Sequence, residues 1–185
     1  MNINLKRVFR ATRAILVYTL VFGVIYTLVM TGIGQAVFSH RVNGSLVEKD
    51  GKVIASEYLS QPMKGEKYLQ GRWELEDTES FPGHYFAGPT NQAVSYPEYQ
   101  KTLQERAKSL NLPAPVGIDL VTGSGSGLDP NISLSSAMSQ APRIAKSRGL
   151  EQSQVEDVIK RHTAGNYWQP ITNVLLVNLE LDGLK

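Results

Sequence analysis

The sequence predicts an α+β fold in which a single N-terminal transmembrane helix is followed by one mixed α/β soluble domain. A long uncharged apolar run predicts the membrane helix, and helical periodicity with a few short apolar runs predicts the domain. A chain of 185 residues, less one span, has room for one ordinary domain. We therefore expect a basic N-terminal tail at 1–13, a transmembrane helix at 14–39 and a soluble α+β domain at 40–185.

The transmembrane helix is predicted from residues 14–39, which contain no charged side chain and are mostly aliphatic or aromatic. At about 1.5 Å per residue they reach roughly 39 Å, which exceeds a hydrocarbon core of about 30 Å. A cleaved signal peptide is the alternative, but it would have a shorter apolar region and a small-residue cleavage motif. Neither feature is present, so we expect an uncleaved span.

The charges that flank this span predict its orientation. Four basic residues precede it and two residues of basic type follow it directly: Lys6, Arg7, Arg10 and Arg13 before, His40 and Arg41 after. The positive-inside rule therefore predicts a single-pass protein whose N-terminus is cytoplasmic and whose residues 40–185 are extracytoplasmic.

One face of the predicted helix carries a small residue at every fourth position: Thr19, Gly23, Thr27 and Thr31. Small residues let two helices approach closely, so we expect this stripe to contact a helix of a partner membrane protein. The alternative is a lone anchor whose small residues are incidental.

Turn signals open the soluble domain, and a helix follows them. Asp50-Gly51 between two short apolar runs predicts a β-hairpin, because both central turn positions favour positive φ. Residues 61–97 are punctuated by Gly and Pro and predict a long loop. An apolar face at helical spacing predicts a helix from Pro97 to Leu110, and the run 118–121 predicts a short strand.

Capping signals predict two further helices. Asp129-Pro130 or Ser133 can begin the first, because Asp and Ser cap well and Pro tolerates the first helical position. This helix would be interrupted at Pro142 and end near Gly149. Residues 153–156 match a capping box for the second helix.

The chain closes on an alternating segment, NVLLVNLELD at 173–182. Its leucines and valines at odd positions would face the core, and its polar residues would face solvent: Asn178, Glu180 and Asp182. Such alternation predicts a half-buried final strand.

Composition excludes several function classes. The net charge of +2 is too small for a nucleic-acid binder, and the absence of cysteine excludes disulfides, thiolate catalysis and Cys-based zinc sites. No metal site is predicted, because His40, His84 and His162 are far apart and no metal-binding motif occurs. The acidic segment 73–79 is interpreted as a solvated loop, with a role in concentrating cations as the alternative.

The most distinctive stretch is VTGSGSGLDPNIS at 121–133. A glycine-rich turn that enters a helix can cradle a phosphate. However, Gly123 and Gly127 are one residue too close for a Walker A loop, and Leu128 stands where that loop needs lysine. The Rossmann and nucleophile-elbow patterns fail as well. We therefore favour a tight strand-to-helix turn, in which glycines adopt unusual φ and serines bond to the loop backbone.

Five segments, in order behind the N-terminal span, resemble the C subunit of the Kdp-type potassium-transporting P-type ATPase. They are NGSLVEKDGKVIASE (43–57), GPTN (88–91), DLVTGSGSGLDPNIS (119–133), RIAKSRGL (143–150) and NVLLVNLELD (173–182). The chain departs from the family pattern at Asn131, where histidine is usual, at 71–74, where Gly-Arg-Pro-Ser is common, and at 81–86. It resembles a divergent member.

The resemblance implies a non-catalytic subunit in a bacterial plasma membrane. Its partners would be membrane lipid, a potassium-channel-like A subunit, and a B subunit that hydrolyses ATP through a phosphoaspartate. The family's C subunit is described as stabilising assembly and as a catalytic chaperone that raises the B subunit's affinity for ATP. By the same analogy ATP would contact the Ser/Gly block and one glutamine: Ser124, Gly125, Ser126, Gly127 and Gln140.

The predicted topology opposes this ATP contact, because an extracytoplasmic domain cannot touch cytoplasmic ATP. In the alternative, the domain sits over the mouth of the pore-forming subunit and assists potassium entry. A membrane-anchored extracytoplasmic enzyme is a further hypothesis, but no catalytic constellation in the sequence supports it.

Overall fold

The computed structural model describes residues 5–61, 63–73, 76–77, 84–85, 87–166 and 168–183. The chain divides into two compact units, Met1–Ser45 and Leu46–Lys185. The first unit is a long helix, and the second mixes helices with short strands. The predicted α+β fold class with an apolar N-terminal helix is confirmed.

The first unit contains helix α1 (Leu5–Tyr18), a π-helical segment (Thr19–Ile25) and helix α2 (Tyr26–Val42). Together they form a helical segment that spans 38 residues and is long and apolar enough to cross a membrane, with a kink at Phe38, where φ is −131° and ψ is 35°. None of its residues is buried by the chain itself. Residues 5–13 of the predicted basic tail belong to this helical unit.

The second unit begins with a β-hairpin, as predicted. Strands β1 (Leu46–Lys49) and β2 (Lys52–Ser56) pair antiparallel. Asp50 and Gly51 between them have φ of 52° and 72°, the positive values that this kind of turn requires.

Three more strand pairs and six helices follow in the described residues. The helices are α3 (Pro97–Ser109), α4 (Ile118–Val121), α5 (Leu134–Met138), α6 (Ala141–Arg148), α7 (Gln152–Arg161) and α8 (Val174–Leu181). The strands are β3 (Glu76–Asp77), β4 (His84–Tyr85), β5 (Asn131–Ser133), β6 (Thr163–Asn166) and β7 (Gln169–Asn173). β3 pairs with β4, and the other three form an antiparallel sheet in the order β5-β7-β6.

The main core lies between this sheet and helices α5 to α8. Its fully buried side chains include Leu120, Ile132, Ile144, Val155 and Ile159. A second, smaller core lies under the β1–β2 hairpin, where Val47 and Ala55 pack against Leu175 and Leu179 of α8. Helix α8 therefore contributes to both cores.

The predicted strand at 173–182 is wrong, because this segment is helix α8. Asn173 caps the helix by accepting a 3.0 Å hydrogen bond from the Leu176 N–H. Val174 and Val177 enter the main core, while Leu175 and Leu179 enter the smaller one. A helix buried on two sides loses its 3.6-residue periodicity, and here the remaining pattern imitated the alternation of a strand.

The predicted strand at 118–121 is also wrong, because these residues form the single turn α4. The Leu120 N–H bonds to the Gly117 carbonyl, and the Thr122 N–H bonds to the Ile118 carbonyl. Ile118 is 67% exposed although Leu120 and Val121 are buried. A four-residue apolar run does not distinguish a strand from a buried helical turn.

The helix starts are partly as predicted. Asp129-Pro130 does not begin a helix, because strand β5 follows it, whereas Ser133 caps α5 by accepting from the Ser136 N–H. The interruption at Pro142 is confirmed, since it starts the new helix α6, and that helix ends at Gly149 with φ 66°.

The capping box of α7 is present but lies two residues earlier than predicted. It joins Glu151 and Gln154 rather than residues 153 and 156. The Glu151 side chain accepts from the helix backbone, and its own N–H donates to Gln154 Oε1 at 3.0 Å.

Candidate functional site

The Ser/Gly block, residues 123–127, lies between helix α4 and strand β5. It is therefore part of a helix-to-strand turn rather than the predicted strand-to-helix turn. Gly127 has φ 70°, which strongly favours glycine. At Gly123 a Cβ atom would lie 3.1 Å from the Trp73 carbonyl oxygen. Two of the three glycines are therefore explained by local geometry, one by its φ and one by a close approach.

The two serines of the block bond to its own backbone, as predicted. Ser126 Oγ accepts from the Leu128 N–H at 3.1 Å, and Ser124 Oγ accepts from the Asp129 N–H at 3.4 Å. The Gly127 N–H donates to the Ser124 carbonyl at 3.3 Å. Because the block leads into a strand, no helix dipole adds to these amide groups, and three of them are already used inside the loop.

Two aspartates flank the block and close the outer edge of β5. Asp119 Oδ2 accepts from the Ser133 N–H at 2.6 Å, and Asp129 Oδ1 accepts from the Asn131 N–H at 3.0 Å. Arg72 Nε donates to the Asn131 carbonyl and to Asp129 Oδ2, both at 3.1 Å. These bonds satisfy backbone groups of β5 that β7 does not reach.

Asp119 is the more buried of the two aspartates, with 9% of its surface exposed. Its Oδ1 accepts a 2.5 Å hydrogen bond from Ser136 Oγ, in addition to the bond from the Ser133 N–H. Burial by itself would raise the pKa of Asp119, but the hydrogen bonds from Ser136 and Ser133 favour the carboxylate and lower the pKa overall. The folded state therefore holds this carboxylate ionised.

A lowered folded-state pKa at Asp119 predicts how stability depends on pH. Its stabilising effect is fully present above the unfolded-state value of about 4 and is lost as pH falls through the lower folded-state pKa. We expect Asp119→Asn to be destabilised at pH 7 and to lose less free energy of unfolding between pH 6 and pH 3 than the unsubstituted chain. Denaturant unfolding at several pH values measures this difference.

Asp157→Asn is the matched control for that experiment, because Asp157 is an exposed carboxylate whose ion pair, at 3.8 Å, is with its helix neighbour Lys160. We expect its pH profile to follow that of the unsubstituted chain. A profile of Asp119→Asn that runs parallel to the control would contradict the role assigned to the Asp119 carboxylate.

Gln140, named by the resemblance, is fully buried at the start of α6 and has 0% of its surface exposed. Its Oε1 accepts from the Gln70 N–H and its Nε2 donates to the Gln70 carbonyl, both at 2.9 Å. Oε1 also accepts from Arg143 Nη2, and Nε2 also donates to the Ser136 carbonyl. Its described partners thus lie outside 124–127, and a nucleotide contact by this amide would have to break bonds within the chain.

Asn178 of α8 repeats this arrangement on the neighbouring residue. Its Oδ1 accepts from the Leu69 N–H at 2.8 Å, and its Nδ2 donates to the Leu69 carbonyl at 2.9 Å. The sequence pattern placed Asn178 on a solvent-facing edge, so this contact was missed. A lone polar residue inside an apolar run is the signal that could have identified it, because buried amides need partners.

Two arginines hold the same stretch, residues 66–70, which we call the strap. Arg143 donates to the carbonyls of Glu66 and Tyr68, and Arg148 donates to the Lys67 carbonyl at 2.7 Å. Arg148 also pairs with Asp182 at 2.7 Å. All of these strap contacts are made to backbone atoms.

A cleft of about 720 Å³ lies beside the Ser/Gly block. Its lining includes the charged residues Arg72, Asp119 and Asp129 and the apolar residues Trp168 and Ile171. Trp168 is 84% exposed. Sequence patterns gave no sign of this cleft, because its residues come from four separate parts of the chain.

The predicted helix-contact residues lie at the junction of the π-helical segment and α2. Thr19 and Gly23 belong to the π-helical segment, and Thr27 and Thr31 belong to α2. A Cβ at Gly23 would meet only Thr19 Cγ2, at the ordinary contact distance of 3.8 Å. The helix itself therefore has room for a larger residue at position 23.

The remaining polar candidates form no metal site in the ranges that the structure describes, where no group of three or more His, Asp or Glu residues could hold an ion. His162 Nε2 lies 2.6 Å from Glu180 Oε2, and Glu180 also pairs with Arg161. Most of the acidic segment 73–79, including Glu74 and Glu79, lies outside the described residues, so its interpretation stays a prediction.

Comparison with known proteins gives consistent matches along the chain. The sequence model of one family, described as KdpC, K+-transporting ATPase, c chain, matches residues 8–183. A potassium-transporting ATPase KdpC subunit of Methylococcus capsulatus is 42% identical over 183 residues, covering 92% of this chain and 94% of the relative. Proteins of the same description from Sorangium cellulosum and Mycobacterium bovis are 41% identical over 179 residues and 39% identical over 189 residues. They cover 92% and 97% of this chain, and 94% and 99% of their own lengths.

Proposed function

The chain belongs to the KdpC family, the C subunits of potassium-transporting ATPases, and from this premise we propose that its N-terminal helix stabilises the assembled complex through contact with partner helices. It is the non-catalytic subunit of an ATP-driven potassium transport complex. We propose that it contributes in two ways. Residues on one face of the membrane helix stabilise the assembled complex, and the domain that follows acts outside the cytoplasm.

One observation carries this proposal. The 38-residue helical segment has no buried side chain in this structure. At Gly23 the helix itself leaves room for a larger side chain. A small residue on a helix surface lets another helix approach closely, and Thr19, Thr27 and Thr31 lie on the same stripe as Gly23.

Substituting leucine for both Gly23 and Thr27 tests the proposed contact with a partner helix. We expect the double substitution Gly23→Leu with Thr27→Leu to lower the fraction of the subunit that co-purifies with the detergent-solubilised complex by about tenfold, equivalent to ~1.4 kcal/mol. Added side chains would hold the helices apart, whereas membrane insertion should be unaffected because leucine is more apolar than either residue.

Gly32→Leu is the matched control, since a Cβ at Gly32 also meets nothing within 4 Å of the chain but lies off the stripe. This variant should co-purify as the unsubstituted subunit does. Equal retention of the stripe variant and the control would remove the helix-contact proposal.

We further propose that residues 40–185 lie outside the cytoplasm, over the mouth of the channel-like A subunit, where they assist potassium entry. The four basic residues before the span support this orientation. The backbone N–H groups of Leu128 and Asp129 donate to serine hydroxyls of the same loop, which supports a loop that is stable without a bound phosphate.

The rival proposal is the family's catalytic chaperone role by direct contact, with ATP held at Ser124, Gly125, Ser126, Gly127 and Gln140. Protease accessibility in intact spheroplasts separates the two. Cleavage of the domain from outside supports the first. Protection, together with azido-ATP labelling of the peptide 123–140, supports the rival and overturns the extracytoplasmic placement.

A further inference from the structure

The cleft beside the Ser/Gly block lies where strand β5 leaves the sheet. The last β5–β7 pair is Ser133 with Ile171, and the chain then turns into α5. Gln169 and Pro170 continue β7 past this point, where the described strand that pairs with them is β6. A short length of β7 therefore borders the cleft without a strand beside it, and Pro170 has no backbone N–H to donate there.

The lining of the cleft combines an apolar wall with a charged end. The wall contains Ile132, Leu134, Trp168, Pro170 and Ile171. The charged end contains two carboxylates, Asp119 and Asp129, against one guanidinium, Arg72. One positive and two negative groups leave this end with a net charge of −1.

The charged end is held rigid by bonds within the chain. Asp119 is fixed by Ser133 and Ser136, and Asp129 is fixed by Asn131 and by Arg72 Nε. The cleft is thus pre-formed, and its volume of about 720 Å³ falls in the range of roughly 300–1,000 Å³ that is usual for binding sites. Binding to a pre-formed site needs little ordering of the protein.

We propose that this cleft docks a segment of another subunit of the complex in which a lysine or arginine lies next to an apolar side chain. The excess carboxylate favours a cation, and the exposed indole of Trp168 offers apolar area for the side chain next to that cation. This proposal rests on the proposed function, because it needs the chain to work inside a complex. Exposed tryptophans of this kind often carry a large share of the binding energy at protein interfaces.

Substitutions of opposite charge at one position on the rim of the cleft test the sign of the charge that the bound segment carries. Ser135 lines the cleft and is exposed, and lysine and glutamate there both remove the same 3.2 Å contact with Ser133 Oγ, so the two variants differ in charge. We expect Ser135→Lys to lower retention of the subunit in the purified complex by about tenfold, an effect of ~1.4 kcal/mol, and Ser135→Glu to leave retention within twofold. Equal retention of the two variants, or a larger loss with glutamate, would overturn the proposal.

Trp168→Ala tests the apolar wall in the same complex. We expect at least a tenfold loss of retention, whereas Val94→Ala, at another highly exposed apolar residue, should leave retention unchanged. Thermal unfolding of each full-length variant in detergent must match the unsubstituted chain, which shows that the losses come from docking. Retention of Trp168→Ala equal to that of Val94→Ala would contradict the docking site.

A photo-crosslinking residue at Ile171 identifies the occupant in intact membranes. Crosslinks to a partner-subunit peptide that carries a basic residue beside an apolar one support the proposal. Crosslinks to lipid, to a second copy of this chain, or to nothing overturn it. If the Gly23 and Thr27 variant releases the subunit while the cleft variants do not, the cleft proposal fails and the proposed function stands.

Discussion

Replacing Gly117 with alanine should destabilise the soluble domain by about 3–5 kcal/mol. Gly117 has φ −60° and ψ 136°, which alanine adopts without strain, so the effect arises from space alone. A Cβ there would lie 2.0 Å from Ser136 Oγ and 2.7 Å from Asp119 Oδ1. Overpacking costs about 1–3 kcal/mol, and loss of a hydrogen bond to a charged group costs about 1.5–3 kcal/mol.

Gly125→Ala provides the control within the same region, because a Cβ at Gly125 meets nothing within 4 Å. We expect this variant to unfold within about 0.5 kcal/mol of the unsubstituted chain. Denaturant unfolding of the full chain in detergent, followed by near-ultraviolet circular dichroism, measures both. A Gly117→Ala domain as stable as the control would show that Ser136 and Asp119 can move away at little cost.

A double-substitution cycle isolates the hydroxyl contact. Ser136→Ala removes the Oγ atom that the new methyl group would strike. We therefore expect the cost of Gly117→Ala to be smaller in the Ser136→Ala background than in the unsubstituted chain. Equal costs in the two backgrounds would assign the effect to the close approach of Asp119 Oδ1 instead.

Replacing Asn178 with leucine is the second change with a large expected effect, about 2–5 kcal/mol. Leucine has nearly the same shape, so the core keeps its volume, but the N–H and carbonyl of Leu69 lose their partner. Leu69 is 1% exposed, so water does not replace the amide. Each unsatisfied buried group costs about 1–3 kcal/mol.

Gln152→Leu is the matched control for Asn178→Leu. Gln152 is an exposed amide on α7 that bonds only to the nearby Glu156 in the described part of the chain. Its loss should change the free energy of unfolding by less than about 0.5 kcal/mol. The same unfolding measurement serves both, and a change at Asn178 as small as the control would show that the strap does not need its amide partner.

Local signals in the sequence predicted the parts of the fold that local chemistry determines. The hairpin at Asp50-Gly51, the cap at Ser133 and the end of α6 at Gly149 depend on turn and capping geometry, and each appears in the structure. The same is true of the serine bonds inside the Ser/Gly block. These features need no knowledge of distant residues.

Tertiary packing decided what the sequence did not predict. Residues 174–181 are helical because two cores cover the segment, and neither core is visible in the local pattern. The cleft and the pairing of Gln140 with Gln70 join residues that are far apart in the chain. The resemblance drew attention to Gln140, but its partner follows only from the three-dimensional arrangement.

The closed edge of β5 has a consequence for the subunit before it joins its complex. An open edge strand is a template on which a second chain can add its own strand and begin an aggregate. Here Asp119, Asp129 and Arg72 occupy the backbone groups of Asn131 and Ser133 that such a strand would use. These three side chains thereby withhold that template from a second chain, whether or not the subunit has joined its complex.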